Sequence, residues 1–371
     1  MRIGIVTMHK VLNFGSALQA FALQTVLERL GHKPTIINYH YSWNGYSPSR
    51  WQYVKDKCRL LAKVLLRRPA VYTRFFLFRH RYLHQTLREY TKGSIKKTPP
   101  TGFDVYMTGS DQVWNCKFTN GDDTFLLNFA PPNKPKISYA SSFASPSVPA
   151  EYRDIFRMNL LEYQSILVRE KNGVDVVRDL TGRNADVVCD PSLLLKSSEY
   201  HHLASKSKVK VNGPYILAYI LDYMYNPYPG ILDIVRRVKE VLGYKVVYIS
   251  TARKDKIRSS DVFLDGIGPL EFLWLVENAS FVVTTSFHGT AFSTIFHIPL
   301  LSVVEDTDTE DGRMQTLLTA LKQKASLISC NTLPEKELIC SSLIISKEKN
   351  IDVIREHSMS LLVKALQQAG N

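Results

Sequence analysis

The stretch Ser280-Phe281-Val282-Val283-Thr284-Thr285-Ser286-Phe287-His288-Gly289-Thr290-Ala291-Phe292-Ser293-Thr294-Ile295-Phe296, continued by His297-Ile298-Pro299-Leu300-Leu301-Ser302-Val303-Val304, decides the fold. It opens as a β-branched apolar run, breaks at a small polar turn, resumes with a helix-like pattern and ends in a second apolar strand. That is one strand-turn-helix-strand unit of an α/β protein. The turn falls where open α/β sheets bind ligands and where amides at a helix start can hold an anion. His288 sits in that turn.

Working outward, the same alternation fills both halves of the chain. Arg2 to Met8 reads as a buried strand, and Ser16-Ala17-Leu18-Gln19 has the spacing of a capping box for the next helix. Leu18, Ala22, Val26 and Leu30 form its ridge, Gly31 stops it, and Lys33 to Tyr39 is the next strand. Further strands are expected at Phe103 to Met107, Lys136 to Phe143, Ser165 to Val168 and Ala185 to Cys189. Residues 196–213, rich in Ser, Lys and His without a strong period, read as a linker. A second alternation has strands at Tyr215 to Leu221, Tyr244 to Ser250, Ser280 to Thr285 and Leu300 to Val304. The expected organisation is α/β, with two Rossmann-like domains facing a cleft. The first domain spans 1–195 and the second 214–350, and a last helix over 351–371 packs back on the first domain.

At 371 residues with 45% apolar residues, the chain suits two globular domains. No apolar run has the roughly 18 to 20 residues of a bilayer span, and Arg2-Ile3-Gly4-Ile5-Val6 begins a strand at once, so neither a signal peptide nor a membrane span is expected. Five widely spaced cysteines without a C-x-x-C pair indicate neither a disulfide framework nor a thiolate zinc site and fit a reducing cytoplasm. The net charge of +13 suggests an anionic partner. Much of it lies in an insertion at about 41–100, where Lys55, Lys57, Arg59, Lys63, Arg67, Arg68, Arg74, Arg79, Arg81 and Arg88 face only Asp56 and Glu89. This basic helical insertion fits solvated helix faces with Phe75, Phe76 and Phe78 packed inward. It equally fits contact with a membrane surface or an acidic saccharide. Nucleic-acid binding would rest on charge alone and is not expected.

The candidate site residues lie at strand ends. Around His288, Ser286, Gly289 and Thr290 stand at a helix start suited to phosphate or carboxylate, and an imidazole there exchanges a proton near neutral pH. In Gly109-Ser110-Asp111-Gln112-Val113-Trp114-Asn115, Asp111, Gln112 and Asn115 offer groups for sugar hydroxyls and Trp114 an apolar face for a pyranose ring. Asp111 and Ser110 equally suit capping of a turn, with Trp114 filling the core. Asn13-Phe14-Gly15-Ser16 leads into the first helix at the same sheet edge, where Asn13 could bond a ligand. Arg169-Glu170 follows a strand as a cleft cation or a structural ion pair. Arg313 opens a helix after the acidic run Glu305 to Asp311. That run fails as a calcium loop: counted from Asp306, Asp311 takes the glycine position and Leu317 that of the bidentate Glu. No phosphate-binding G-x-x-x-x-G-K-[ST] occurs, and Gly266-Ile267-Gly268 lacks the third glycine of a dinucleotide fingerprint.

Taken in order, Asn13 to Ala20, Gly109 to Asn115, Ile137-Ser138-Tyr139-Ala140-Ser141-Ser142-Phe143, Val168-Arg169-Glu170, Asp190-Pro191-Ser192-Leu193-Leu194 and Thr285 to Gly289 resemble the motifs of the polysaccharide pyruvyl transferase family. The resemblance implies a GT-B-like fold and an enzyme; the cysteines place it in the cytoplasm, and the basic insertion allows contact with the inner face of the membrane. Its reaction moves a pyruvyl group from phosphoenolpyruvate to a sugar diol of an exopolysaccharide or capsule precursor, giving a cyclic ketal and phosphate. It implies His288 as general acid in the donor site; the need of that reaction for a base assigns Asp111 as base or hydroxyl anchor. Arg169, Ser286, Gly289, Thr290 and Arg313 then bind the donor, and Asn13, Phe14, Gln112 and Trp114 the acceptor. No metal and no cofactor beyond the co-substrate are expected. Better-known members carry arginine two residues before the histidine, where this chain has Ser286; Arg313, Arg253 and Lys254 are the candidate substitutes. The alternative reading is a GT-B-type glycosyltransferase using a nucleotide sugar, although the helix after His288 has no glutamate before Glu305. A third is a saccharide-binding or scaffold protein without catalysis, which would not require His288.

Overall fold

The computed structural model describes residues 1–40, 69–249, 261–307, 312–345 and 350–370. The first part of the basic insertion and the cations Arg253 and Lys254 lie outside the described residues. The chain forms two compact units, the first running from Met1 to Leu194 and the second starting at Leu195.

In the first unit, β1 (Arg2–Val6) pairs in parallel with β2 (Lys33–Ile36) and with β3 (Val105–Thr108), and β3 pairs with β4 (Lys136–Ser138). The order is β2-β1-β3-β4; β5 (Leu167–Val168) and β6 (Asp186–Val187) form a separate parallel pair. Single bridges from Ile137 to Ser165 and from Ser141 to Val168 carry the β4 side towards that pair. Both faces are covered, so these strands read as apolar runs rather than alternations. Ile3, Ile5 and Val6 are buried with Val105, Tyr106 and Met107. Beside the sheet, Trp114, Phe125, Phe143, Phe156 and Tyr163 build an aromatic core. Parallel strands need long crossovers, here supplied among others by the helices Phe14–Arg29 and Ala150–Leu161. Several strands are shorter than the apolar runs suggest: 136–143 gives only Lys136–Ser138, after which the backbone turns into a loop that bonds to its neighbours through single bridges.

The second unit is one six-stranded parallel sheet of β7 (Tyr215–Tyr219), β8 (Lys245–Ile249), β9 (Val262–Leu264), β10 (Phe281–Thr284), β11 (Leu300–Val304) and β12 (Leu327–Ser329). Its order is β12-β11-β10-β7-β8-β9, which from the β9 edge is 3-2-1-4-5-6, the order of dinucleotide-binding folds. The edge strands β9 and β12 have three residues each, too short to leave a period in the sequence. Residues 196–213 are not a plain linker. Ser197–Ala204 is a helix of the second unit, and its buried Tyr200 meets Phe292 edge-on at 5.0 Å, in the helix that carries His288.

From Arg355 onward the C-terminal helix, Asn350–Gly370, belongs to the first unit. There Ser358 Oγ accepts from the Cys189 amide at 2.9 Å, and Arg355 Nε donates to the Leu193 carbonyl at 2.9 Å. In the insertion, Phe75 and Phe78 pack inward as the apolar pattern suggests, but Phe76 is 58% exposed.

The helix Gly230–Leu242 starts hard against the chain leaving β12: a Cβ at Gly230 would lie 1.8 Å from the Cys330 carbonyl oxygen. Gly230→Ala must therefore push one backbone off another. A loss of about 1–3 kcal/mol is expected, read as a lower midpoint in thermal or urea unfolding; an unchanged midpoint would mean that this approach is not tight.

Candidate active site

In the second unit the strand order reverses between β7 and β10, and the diverging loops there leave the crevice in which such sheets bind ligands. The ends of the two strands are stitched by hydroxyls. Thr284 Oγ1 donates to the Tyr219 carbonyl at 2.7 Å, and Thr285 Oγ1 donates to the Leu221 carbonyl at 2.8 Å while accepting from the Leu221 amide at 2.7 Å. The helix Phe287–Ile295 begins directly after this seam, with Ser286 as its N-cap. Ser286 Oγ accepts from the Gly289 amide at 3.3 Å, so the serine hydroxyl serves the helix. Gly289 is required by space, since a Cβ there would come within 2.3 Å of Thr284 Oγ1.

His288 occupies the first turn of that helix and is 5% exposed. Its ring stands nearly perpendicular to that of Phe287, with centroids 5.2 Å apart and an interplanar angle of 85°. Arg313 begins the helix Arg313–Ala320, and its guanidinium carbon lies 6.0 Å from the Phe287 ring centroid. Phe287 thus has the histidine ring set across its own and a cation over its face, where the ring quadrupole attracts the guanidinium. A helix start and an arginine together favour a bound anion. Thr290 has another task than ligand contact. It is fully buried, its Oγ1 donates to the Ser286 carbonyl at 3.3 Å and is hydrogen-bonded to Ser302 Oγ, which ties the helix to β11.

The first unit has its own switch point, between β1 and β3. Thr7 Oγ1, just past β1, donates to the Ser110 carbonyl at 2.8 Å, just past β3. Asn13 is the N-cap of the helix Phe14–Arg29, accepting from the Ser16 amide at 3.3 Å, so the helix starts three residues before the expected Ser16 cap. Ser16 Oγ instead donates to Asp111, and Gln19 Nε2 donates to Thr7 Oγ1 at 2.9 Å. Asp111 holds a left-handed backbone with φ of 83°, which costs a residue with a side chain about 1–3 kcal/mol. Its carboxylate is anchored by the Gln112 amide at 2.8 Å as well as by Ser16, and lies 4.0 Å from Arg169. Placed against the first turn of a helix, it also meets the positive end of the helix dipole.

Behind Asp111, Arg169 NH1 donates to Asp190 at 2.9 Å, with the arginine side chain 1% and the aspartate 0% exposed. Asp190 also accepts from Ser110 Oγ at 2.9 Å and from the Ser192 amide at 3.0 Å. Glu170 accepts from the amides of Phe143 and Ala144 at 2.8 and 3.2 Å. Arg169 is therefore a structural cation of the first unit rather than an open donor-site group. Trp114 is corrected too: it is 1% exposed, its indole donates to the Phe125 carbonyl at 3.0 Å, and its ring packs on Phe143, so no sugar can stack on it. Phe14 is buried and stacked on Phe75 at 5.6 Å. Gln112 is buried and accepts from Asn115 Nδ2 at 2.8 Å. Asn13 Oδ1 and the Asp111 carboxylate bond within the loops themselves; the arrangement makes Asp111 an anchor of the switch point rather than an open base.

Sequence reading passed over His9, two residues past Thr7, although a position just beyond a strand end marks it. Its side chain is fully buried, Nδ1 donates to the Thr7 carbonyl at 3.1 Å, and burial first, then the nearby Lys10 charge, pushes its pKa down to about 3. It is a neutral imidazole at the first unit's switch point. Among the described residues no group of three or more His, Cys, Asp or Glu is placed to hold a metal ion, and no helix is long and apolar enough to cross a membrane.

Two Rossmann-type units, each with its polar loops gathered at a topological switch point, define a GT-B-like α/β protein. Solved structures agree on that fold. The UDP-GlcNAc 2-epimerase of Methanocaldococcus jannaschii superposes with a TM-score of 0.56 at 11% identity, covering 99% of both chains. The UDP-GlcNAc 2-epimerase of Neisseria meningitidis, bound to UDP-GlcNAc, does so with 0.55 at 10% identity over 99% of this chain and 100% of its own. Arabidopsis thaliana UGT89C1, complexed with UDP-L-rhamnose, gives 0.50 at 9% identity over 99% of both chains. No curated protein matches the chain in sequence at a significant level. The family model described as polysaccharide pyruvyl transferase matches residues 13–307, most of the chain, and the protein belongs to that family.

Two outcomes follow from the first unit. Asp190→Ala would leave the Arg169 guanidinium buried without its closest carboxylate, and a loss of roughly 3–5 kcal/mol is expected in urea unfolding; a loss below 1 kcal/mol would show that water reaches the arginine. For His9, the folded pKa lies below the unfolded value of 6.5. Stability from the neutral ring is therefore complete above pH 6.5 and drains away as the pH falls towards 3, because only the unfolded chain takes up the proton. At pH 4 wild type should have lost roughly 3 kcal/mol relative to His9→Asn, measured as the difference between their unfolding profiles against pH. Parallel profiles would contradict the burial argument.

Proposed function

We propose that the protein transfers a pyruvyl group from phosphoenolpyruvate to two hydroxyls of a saccharide, forming a cyclic ketal and releasing phosphate. The observation that carries this reading is the grouping of His288, Phe287 and Arg313 at the start of a buried helix, at the switch point of the second sheet. Family membership supports it.

The reaction needs an acid for the donor's methylene carbon, positive groups for its phosphate and carboxylate, and a route for the proton of each attacking hydroxyl. In our reading His288 gives its proton to the methylene carbon, which becomes a methyl group and leaves an oxocarbenium-like centre at C2. One sugar hydroxyl attacks C2, and its proton returns to His288. The C2–O bond to phosphate then breaks, and the second hydroxyl closes the ring at C2 as its proton passes to the released phosphate. Arg313 and the amides of the helix start hold the anionic donor. Arg313 thereby supplies the charge that Ser286 lacks, since the Ser286 hydroxyl is occupied as a helix cap. The scheme calls for neither a metal nor a redox cofactor. The acceptor is a free or lipid-linked precursor of a cell-surface polysaccharide, bound at the first unit's switch-point loops, on the cytoplasmic side of the membrane. On the acceptor side, Asn13, whose Oδ1 caps the first helix, would meet the saccharide through its amide nitrogen.

A nucleotide-sugar glycosyltransferase is the second reading, favoured by the fold alone, because structures of the same fold hold UDP-GlcNAc and UDP-L-rhamnose. The two separate on donor turnover. With phosphoenolpyruvate and a panel of glycans, phosphate release should accompany a gain of a pyruvate ketal by the acceptor. His288→Ala should lower kcat by about 10²–10⁴ without loss of folding. Arg313→Ala should raise KM for the donor about tenfold or more, with Arg313→Lys recovering part of it. Wild-type rates in His288→Ala, or sugar transfer from a nucleotide sugar with no use of phosphoenolpyruvate, would overturn the reading.

A further inference from the structure

Among the described residues, the helix Pro69–Tyr82 buries one face and exposes side chains on the other. Inward, Phe75 stacks on Phe14 and Phe78 tilts against Tyr82 with centroids 5.0 Å apart. Outward, one and two positions round the helix from Phe75, Phe76 and Leu77 are 58% and 55% exposed. His80 stacks on Phe76 at 5.9 Å, and Arg81 is exposed one residue further on. Leu87 and Arg88, both exposed, follow in the connecting segment. From residue 69 to residue 88 the sequence has Arg74, Arg79, Arg81 and Arg88 and neither Asp nor Glu.

An exposed aromatic and a leucine side by side, on a helix that carries arginines and no acidic residue, match the interfacial pattern in which apolar side chains enter the headgroup boundary while arginines meet anionic lipid. Arg81 also lies over the Tyr82 ring at 5.8 Å and Arg88 over the Tyr90 ring at 5.1 Å, which keeps both guanidinium groups beside aromatic surface. A second copy of the chain suits the patch less well. Its own arginines would face each other, and two half-exposed side chains offer far less than the roughly 800 Å² per partner of a stable protein interface.

We propose that this face is a docking surface for a bilayer with anionic headgroups, seated by Phe76 and Leu77 and held by Arg81 and Arg88. It extends the acceptor side of the proposed function by naming the surface on which the enzyme would meet a lipid-linked substrate. The proposal does not depend on the donor, so a partition measurement decides it without a transfer assay.

The full-length protein is sedimented with vesicles of phosphatidylcholine and phosphatidylglycerol, and with vesicles of phosphatidylcholine alone. Wild type should partition onto the anionic vesicles and be released by added salt. Phe76→Ser/Leu77→Ser and, separately, Arg81→Glu/Arg88→Glu should each weaken that partition about tenfold or more at an unchanged unfolding midpoint, since all four side chains are exposed. The proposal is overturned by equal binding to the neutral vesicles or by full binding of both double variants. It is equally overturned by a soluble acidic polysaccharide that strips wild type from the vesicles as its preferred partner, or by a dimer that Phe76→Ser/Leu77→Ser dissociates.

Discussion

Parallel strands cannot be joined by hairpins, and this constraint arranges both halves of the molecule. Every connection must cross back over a face of the sheet, so a sheet that grows in both directions from its first strand has one place where consecutive crossovers part. In the second unit that place lies between β7 and β10, and in the first between β1 and β3. The polar residues that lack a packing reason in the sequence gather at these two places. Their hydroxyls and amides first close the strand ends, as Thr284 and Thr285 do to Tyr219 and Leu221 and as Thr7 does to Ser110. Only what the seam leaves over is available for chemistry.

The two switch points differ in what is left over. In the first unit Arg169 lies between Asp190 and Asp111, and Asp111 in turn holds the start of the first helix through Ser16. That is a rigid, charge-compensated frame, in which the strained backbone of Asp111 is held by three separate partners. In the second unit the helix start is closed by Ser286, and Phe287 has both the His288 ring and the Arg313 guanidinium close to its own ring. Serine is among the favoured N-cap residues, and the cation near Phe287 belongs to another helix, as Arg313.

Much of this was legible in the residues. The run from Ser280 to Val304 shows β10, the helix and β11 in order, because each is buried and marked by its own periodicity. His288 and Arg313 were picked out by standing at a strand end and a helix start. What misled was burial of polar or amphipathic groups within loops, which no period reveals. Trp114 was offered to a sugar and lies in the core, Thr290 was offered to a donor and ties a helix to β11, and Arg169 was offered to an anion and pairs with Asp190. Each has a side chain equally able to serve structure or ligand, and only the packing around it decides. His9 was missed for the opposite reason: nothing beside it in the sequence hints that its imidazole is sealed from water.

The central claim of the proposed function is that His288 protonates the donor's methylene carbon, and solvent isotope content tests that protonation most directly. Transfer run in D₂O from unlabelled phosphoenolpyruvate should give a ketal whose methyl group carries one deuterium, read by mass spectrometry and by the methyl signal in NMR. A ketal methyl group free of solvent deuterium, or an acceptor that gains a sugar in place of pyruvate, would contradict the account.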